Sequence, residues 1–202
     1  DTCPYCGRII GNIDVKCHDC EKSIKYSFSV REISDGVVCV SPFQYNGKVR
    51  DAIRHFKFKG CKRYAWNFAF EMAKAIDLKF PLEKFSAVTP VPIYKSRKKD
   101  RGYNQAGSLA DELGNILNIP SIEILEKIKN TAPQYTIKDY KERINNVQGV
   151  YKANYLCENS QERLLVCDDV VTSGATLKEC VRTLKSVGFK NISCVTISNA
   201  KS

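Results

Sequence analysis

Four cysteines near the start of the chain have the spacing of a metal site. They form two Cys-x-x-Cys pairs separated by ten residues: Cys3, Cys6, Cys17 and Cys20. Two such turns can each present a pair of thiolates to one tetrahedral ion, and closed four-cysteine sites are typical of structural zinc. A redox-active Cys-x-x-Cys is the alternative, which two copies this close disfavour. The spacing therefore predicts a small ribbon that binds Zn²⁺, with His18 as a bystander.

A second set of chemically active residues follows an apolar run. Leu164–Cys167 predicts a strand buried on both faces, and it leads directly into Asp168 and Asp169. A loop of small residues comes next and opens a predicted helix. The loop consists of Thr172, Ser173, Gly174, Ala175 and Thr176.

This order of strand, acids and loop predicts a sugar-phosphate site. Ligands of α/β sheets bind at the carboxyl ends of the strands, and the start of a helix attracts phosphate through its N–H groups and dipole. A vicinal diol close to a phosphate, as in ribose 5-phosphate, would engage the acids and the loop together. A magnesium-binding Walker B strand is one alternative, but the chain has no Gly-x-x-x-x-Gly-Lys-Ser/Thr sequence. An ordinary strand-turn-helix is another, and it leaves the acid pair unexplained.

The net charge points to an anionic partner. Lysine and arginine number 32 against 22 acidic residues, a net charge of +10. Residues 1–30 carry four of each sign, so the whole excess belongs to residues 31–202. Such an excess favours nucleic acid or a phosphorylated small molecule, and simple solubility is the alternative.

The ten cysteines and the hydropathy bear on location. Six of the cysteines stand singly in apolar or helical segments, where they behave as small hydrophobes and persist best in a reducing compartment. No stretch approaches the roughly 20 apolar residues that span a bilayer. We therefore expect a cytoplasmic protein without membrane insertion. The only methionine is Met72, so we also expect the sequence to be trimmed at its start.

The elements that must position these residues alternate along the chain. Helical periodicity predicts helices at 49–56, closed by Gly60, and at 64–76, 109–116 and 177–187. Apolar runs predict strands at 26–30, 36–40, 85–91, 122–125, 164–167 and 192–197. This alternation predicts an α/β fold with a doubly wound, mostly parallel sheet. We divide the chain into a zinc ribbon (1–25), connector or hood strands (26–48) and a main domain (49–202).

The segment Leu164–Thr176 resembles the phosphoribosyl pyrophosphate (PRPP) signature of type I phosphoribosyltransferases. The whole chain resembles, more narrowly, the ComF family of competence-associated proteins. The further residues that carry this resemblance are the cysteine pairs, Tyr45–Arg50, Phe56–Gly60, Pro90–Pro92, Arg97, Arg101–Gln105, Thr131, Gln134, Arg143 and Asn145–Val147.

The resemblance implies a role for each part of the site. Residues that match Asp168 and Asp169 contact the ribose hydroxyls, and those that match Thr172–Thr176 surround the 5-phosphate. The strand ending at Pro90–Pro92 carries the pyrophosphate loop, and a mobile basic segment follows it. In that segment Lys95, Arg97 and Arg101 are candidates for pyrophosphate or nucleic-acid phosphate, whereas Lys98 and Lys99 suit a solvated loop equally. Mg²⁺ would accompany PRPP.

Two functions follow from these observations. The first is a phosphoribosyltransferase that uses PRPP and an unidentified acceptor. The second is a non-enzymatic accessory protein of natural transformation that binds single-stranded DNA and keeps the fold and phosphate site, with other competence proteins as partners. Aromatic residues alternate with cations between Phe43 and Lys59, a mixture that stacks bases and follows a phosphate backbone.

Overall fold

A computed structural model describes residues 1–11, 13–132, 136–137, 139–155 and 162–200. Six strands form its main sheet: β1 (Ser29–Ser34), β2 (Val37–Ser41), β3 (Phe43–Gln44), β4 (Ala87–Pro90), β7 (Arg163–Val171) and β8 (Asn191–Asn199). The strand order is β1-β2-β8-β7-β4, and β3 also pairs with β8. All pairings are parallel except that of β1 with β2. The predicted α/β class with a mostly parallel sheet is confirmed.

Helices cover both faces of this sheet. Their bounds are α1 (His18–Ser23), α2 (Gly47–Phe58), α3 (Ala65–Lys79), α4 (Lys95–Arg101), α5 (Gln105–Leu117), α6 (Tyr140–Val147) and α7 (Ala175–Ser186). Alternate side chains of β7 enter two separate cores: Leu165 and Cys167 pack with α3 and α5, whereas Leu164 and Val166 pack with α7. In the described part of the chain, no helix combines the length and hydropathy needed to cross a membrane.

Local signals explain where several helices end. Gly60 follows the last turn of α2 with a φ of +65°, a conformation that glycine adopts without strain, as the sequence predicted. Gly188 takes a φ of +105° just after α7. The basic segment that was expected to be mobile forms a short helix, Lys95–Arg101, and Gly102 ends it in the left-handed conformation.

One strand lies differently from the sequence-based expectation. The strand expected at 122–125 is β5 (Leu125–Lys127), which pairs antiparallel with β6 (Tyr151–Ala153) outside the main sheet. An isolated bridge, Val88 to Ser121, and a hydrogen bond from the Ile124 N–H to Thr89 Oγ1 at 3.3 Å join this stretch to β4. Residues 26–48 supply β1, β2 and β3 to the main sheet, because β2 and β3 hydrogen-bond successively along β8.

The N-terminal segment packs against the face that α3 covers. The Tyr5 ring contacts those of Phe43 and Phe68 edge-on, at centroid distances of 6.2 and 6.0 Å. An ion pair between Lys16 and Glu71 is almost completely buried, with 5% and 1% of the side chains exposed. The segment and the main sheet therefore share one hydrophobic core.

Candidate functional site

The two strand-end carboxylates face opposite sides of β7. Successive residues of a strand point to opposite faces, so Asp169 points toward α2 and Asp168 toward α7. The Asp169 N–H donates to Asp168 Oδ1 at 2.8 Å. Burial, together with the negative charge of Asp169, raises the pKa of Asp168 to about 7. This carboxyl group therefore keeps its proton to a higher pH than an exposed aspartic acid does.

The loop after β7 turns directly into α7. Gly174 has a φ of +81° and precedes the first helical residue, Ala175, whose N–H donates to Ser173 Oγ at 3.3 Å. The first turn of a helix leaves N–H groups without intrahelical acceptors and carries a partial positive charge. The loop and this turn therefore offer donors suited to a phosphate.

Arg31 of β1 hydrogen-bonds to the loop that follows β7. Its guanidinium donates to the carbonyl oxygens of Thr172 and Ser173, the second at 3.2 Å, and approaches Asn199 Oδ1 at 3.4 Å. Because these bonds engage the carbonyl groups, they restrict the orientation of the loop peptides. Sequence analysis did not single out Arg31, because the two segments are 141 residues apart along the chain.

The acids and the loop line one cavity of about 210 Å³. Val91 and Pro92, after β4, form another part of its wall, as does Tyr45. Four cationic side chains line the cavity together with the two carboxylates: Lys57, Arg97, Arg101 and Lys127. This composition gives the cavity an excess of positive charge, suited to a ligand with more than one anionic group.

Lys57 makes the closest charged contact in the cavity. Its Nζ lies 2.7 Å from Asp169 Oδ1, and both side chains are largely buried. Burial alone would lower the pKa of Lys57, but the charge and hydrogen bond of Asp169 raise it above its usual value. The ammonium group is therefore fully charged at neutral pH. The sequence indicated Lys57 as part of the resemblance and as one of the cations that alternate with aromatic residues, but not as a partner of Asp169.

Of the three basic residues expected at the pyrophosphate, two line the cavity. Arg97 donates to the carbonyl oxygen of Thr131, and Arg101 donates to Gln105 Oε1 at 3.0 Å. Lys95 is not among the lining residues, because its exposed side chain pairs with Glu126 at 3.3 Å. Gln134, part of the resemblance, lies outside the described residues.

Lys127 is a buried cation that sequence analysis missed. The residue is 8% exposed, lines the cavity and places its Nζ 5.8 Å from the centroid of the Tyr151 ring. Burial, with a further contribution from the charge of Arg97, lowers the pKa of Lys127 to about 8. Its position as the last residue of β5 gave no local signal of a binding role.

The four N-terminal cysteines form a compact cluster. Their sulfur atoms lie within 4.8 Å of one another, and Cys6 Sγ is 3.4 Å from Cys17 Sγ. Tetrahedral coordination at a Zn–S distance of about 2.3 Å needs sulfurs of this mutual spacing. Gly7 makes the expected tight turn, with its N–H donating to the carbonyl oxygen of Cys3 at 2.8 Å. The cluster therefore fits a metal ion, and His18 lies exposed outside it.

The aromatic residues near the site divide into core and surface. Phe43 and Phe56 are completely buried, so they do not contact a ligand directly. Phe58 is 56% exposed at the end of α2, and the guanidinium of Arg101 lies 5.0 Å from its ring centroid. Of this pair, Arg101 lines the cavity.

A mostly parallel sheet with an acid pair and a small-residue loop at the end of β7 is the arrangement expected of a phosphoribosyltransferase-type domain, and comparison with known families agrees. Residues 99–202, half of the chain, match the family described as phosphoribosyl transferase domain. The chain belongs to this family.

Whole-chain relatives extend the comparison to the N-terminal half. The chain is 28% identical over 199 residues to Competence protein F of Haemophilus influenzae, covering 94% of this chain and 82% of that protein. It is 28% identical over 191 residues to Competence protein ComFC of Bacillus subtilis, covering 92% and 72%. ComFC of Streptococcus pneumoniae is 24% identical over 194 residues, covering 95% and 78%. The resemblance to the ComF family is thus confirmed.

Proposed function

We propose that the chain binds PRPP in the cavity at the end of β7 and acts as a phosphoribosyltransferase. Asp168 and Asp169 accept hydrogen bonds from the ribose hydroxyls, and the loop Thr172–Thr176 binds the 5-phosphate. Arg97 and Arg101 bind the pyrophosphate. The proposal rests mainly on one observation: the acid pair, the N-terminus of α7 and an excess of cationic side chains all line the same cavity.

The reaction is a displacement at the anomeric carbon, with pyrophosphate leaving and an oxocarbenium-like transition state. Holding the sugar by its hydroxyls and its phosphate fixes the anomeric carbon relative to an incoming acceptor. The arginines stabilise the charge that develops on the leaving group. Carboxylate and phosphate oxygens are ligands that Mg²⁺ prefers, and Mg²⁺ bound with PRPP would neutralise part of that charge.

The biological setting we propose is natural competence. Three relatives that align with nearly the whole chain are named competence proteins. We infer that the chain acts in the cytoplasm during DNA uptake, alongside other competence proteins. The four-cysteine cluster would hold a structural Zn²⁺ that stabilises the N-terminal segment.

Single-stranded DNA is the second candidate ligand. The exposed Phe58 ring with Arg101 over it is the observation that favours it, because aromatic rings beside cations stack bases and follow a phosphate backbone. In this alternative the chain is a binding protein that keeps the phosphate site without catalysis.

One set of titrations separates the two functions. Calorimetry on a single preparation would measure PRPP with Mg²⁺, ribose 5-phosphate and a single-stranded oligonucleotide. We expect PRPP to bind, and replacing both carboxylates (Asp168→Asn with Asp169→Asn) to abolish sugar binding while weak phosphate binding persists. Oligonucleotide binding without PRPP binding would contradict the enzyme and support the accessory protein.

A further inference from the structure

Lys57 reaches the cavity from α2, whereas the phosphate loop lies between β7 and α7. It lies in the last turn of α2, whose backbone is fixed from outside: Gln105 Nε2 donates to the carbonyl oxygen of Lys57 at 3.3 Å, and the Tyr103 hydroxyl donates to that of Phe56. The start of α5 therefore positions this turn. The backbone at Lys57 is therefore held in place, and the ammonium group moves relative to Asp169 by rotation of the lysine side chain.

Lys57 and the phosphate loop enter the cavity from opposite faces of the sheet. The buried residues of α2 belong to the core shared with α3 and α5, whereas Ala175 and Leu177, at the start of α7, belong to the other core. Arg101 lines the cavity and is held by the neutral side chain of Gln105. In the described part of the chain Arg101 has no carboxylate within 4.0 Å. Lys57 and Arg101 thus make a second cationic region, distinct from the phosphate loop.

Lys57 and a bound sugar would compete for the carboxylate of Asp169. Under the proposed function, Asp169 accepts a hydrogen bond from a ribose hydroxyl, and its Oδ1 already accepts one from Lys57. A neutral diol that displaced Lys57 would leave a largely buried ammonium without its counter-charge, which is unfavourable. A ligand with a second anionic group removes this cost, because that group becomes the new partner of the ammonium.

We propose that Lys57 is a ligand-binding residue that selects sugar phosphates carrying a diphosphate in addition to the 5-phosphate. Its ammonium neutralises Asp169 in the ligand-free protein. It turns to the diphosphate when the ribose hydroxyls occupy Asp169. This inference rests on the proposed function and adds to it a reason for preferring PRPP over ribose 5-phosphate.

The test compares Lys57→Met with Lys59→Met. Methionine preserves much of the length of lysine but not its charge, and Lys59 is an exposed lysine two residues further on that does not line the cavity. Calorimetry would give the Kd for PRPP and for ribose 5-phosphate, each with Mg²⁺. We expect the preference for PRPP, expressed as the ratio of the two constants, to fall roughly tenfold in Lys57→Met. It should stay at the parent value in Lys59→Met.

Lys57→Met leaves the largely buried Asp169 without its ion-pair partner and could therefore destabilise the fold. Two further variants control for this effect. Lys57→Met combined with Asp169→Asn removes both charges, and it should show the same fall in preference for whatever sugar binding remains. Lys57→Arg keeps the charge and should keep most of the preference. An unchanged preference in folded Lys57→Met would overturn the role of Lys57 while leaving PRPP binding intact. A parent protein that binds neither sugar phosphate would overturn the proposed function, and this inference with it.

Discussion

At the scale of single residues, Asp168 links the site to pH. Asp169, Lys57 and Lys127 are the charged groups that act on it, and burial with the charge of Asp169 outweighs the two lysines, so the pKa of Asp168 rises to about 7. A carboxyl group whose pKa is raised in the folded state favours folding most at low pH. That contribution is lost as the pH rises from the unfolded pKa near 4 to about 7.

Replacing Asp168 with asparagine should therefore stabilise the protein at alkaline pH. Asparagine keeps the shape but needs no ionisation. We expect the Tm of Asp168→Asn at pH 8 to exceed that of the parent by roughly 2–4 °C, and the difference to vanish near pH 4. Thermal unfolding followed by circular dichroism across this range measures the effect. A parent whose stability does not fall between pH 4 and 7 relative to the variant would contradict the raised pKa.

Under the proposed function, Arg31 positions the loop Thr172–Thr176 for phosphate binding. Arg31→Met removes its bonds to the carbonyl oxygens of Thr172 and Ser173, so the loop should sample other orientations. We expect the affinity for inorganic phosphate to fall at least about fivefold, because hydrogen bonds from a charged donor contribute about 1.5–3 kcal/mol each. Titration of phosphate measures it. Arg54→Met, an exposed arginine of α2, is the control and should leave phosphate affinity unchanged.

At the scale of elements, the turn from β7 into α7 depends on Gly174. A Cβ at this position would lie 3.5 Å from Ile33 Cδ1, an ordinary contact, so the cost of Gly174→Ala comes from the φ of +81° and not from crowding. That cost is about 1 kcal/mol. We expect Gly174→Ala to lower the Tm by roughly 2–4 °C and to weaken phosphate binding.

Gly36→Ala separates these two effects. Gly36 has nearly the same φ, +78°, and lies in the turn between β1 and β2 with no atom within 4 Å of the added Cβ. Its alanine variant should lose similar stability and keep its phosphate affinity. Equal phosphate binding in both variants would show that the geometry of Gly174 does not matter to the loop.

Features of the fold and the site could be predicted where their residues are contiguous in the sequence. The strand β7, its acids and the loop follow one another along the chain, so apolar pattern and turn chemistry were sufficient to predict them. The bonds of Arg31 and Lys57 to this segment join distant parts of the chain and leave no periodicity. Arg31 was therefore not singled out, and Lys57 was named among the cations that alternate with aromatic residues but not as a partner of Asp169. β5 was misplaced because a short apolar run does not indicate which sheet a strand will join.

At the scale of the whole molecule, the four-cysteine cluster and the main domain should unfold together. Tyr5 packs on Phe43 and Phe68, and the buried Glu71 pairs with Lys16. Release of the metal would loosen the N-terminal segment and weaken the Lys16–Glu71 ion pair, whereas Glu71 would keep its contact with Lys74 at 3.5 Å. We therefore expect a cost below the roughly 3–5 kcal/mol of a fully unpaired buried charge. We expect Cys17→Ser, or removal of the metal by a chelator, to lower the Tm of the entire chain in a single transition.

Metal analysis and calorimetry test this prediction. The parent should carry about one zinc ion per chain. Cys61→Ser, which changes a cysteine outside the cluster, should keep its zinc and its Tm. Two separate thermal transitions in Cys17→Ser would instead mean that the N-terminal segment unfolds on its own.

The charge of the whole chain governs nucleic-acid binding. Because the net +10 lies outside residues 1–30, affinity for a single strand should fall with salt by about 0.7 log units per log unit of salt for each phosphate contact. Phe58→Ala should weaken binding by loss of stacking. Lys22→Gln with Lys25→Gln, two exposed lysines of the N-terminal segment, is the control and should have little effect. Binding that is insensitive to salt would contradict a phosphate-backbone interaction.

The contact of Arg31 with the loop also limits how the molecule can be dissected. The stretch recognised by the family, residues 99–202, contains the loop and the acid pair but neither Arg31 nor Lys57. It also lacks β1, β2, β3 and β4, so β7 and β8 would each be left with an open edge. A fragment that begins at residue 99 would therefore contain the acid pair and the loop but not the strands and side chains that position them. The open edges of β7 and β8 would also favour aggregation. Transplanting the site into another scaffold would require both halves of the chain.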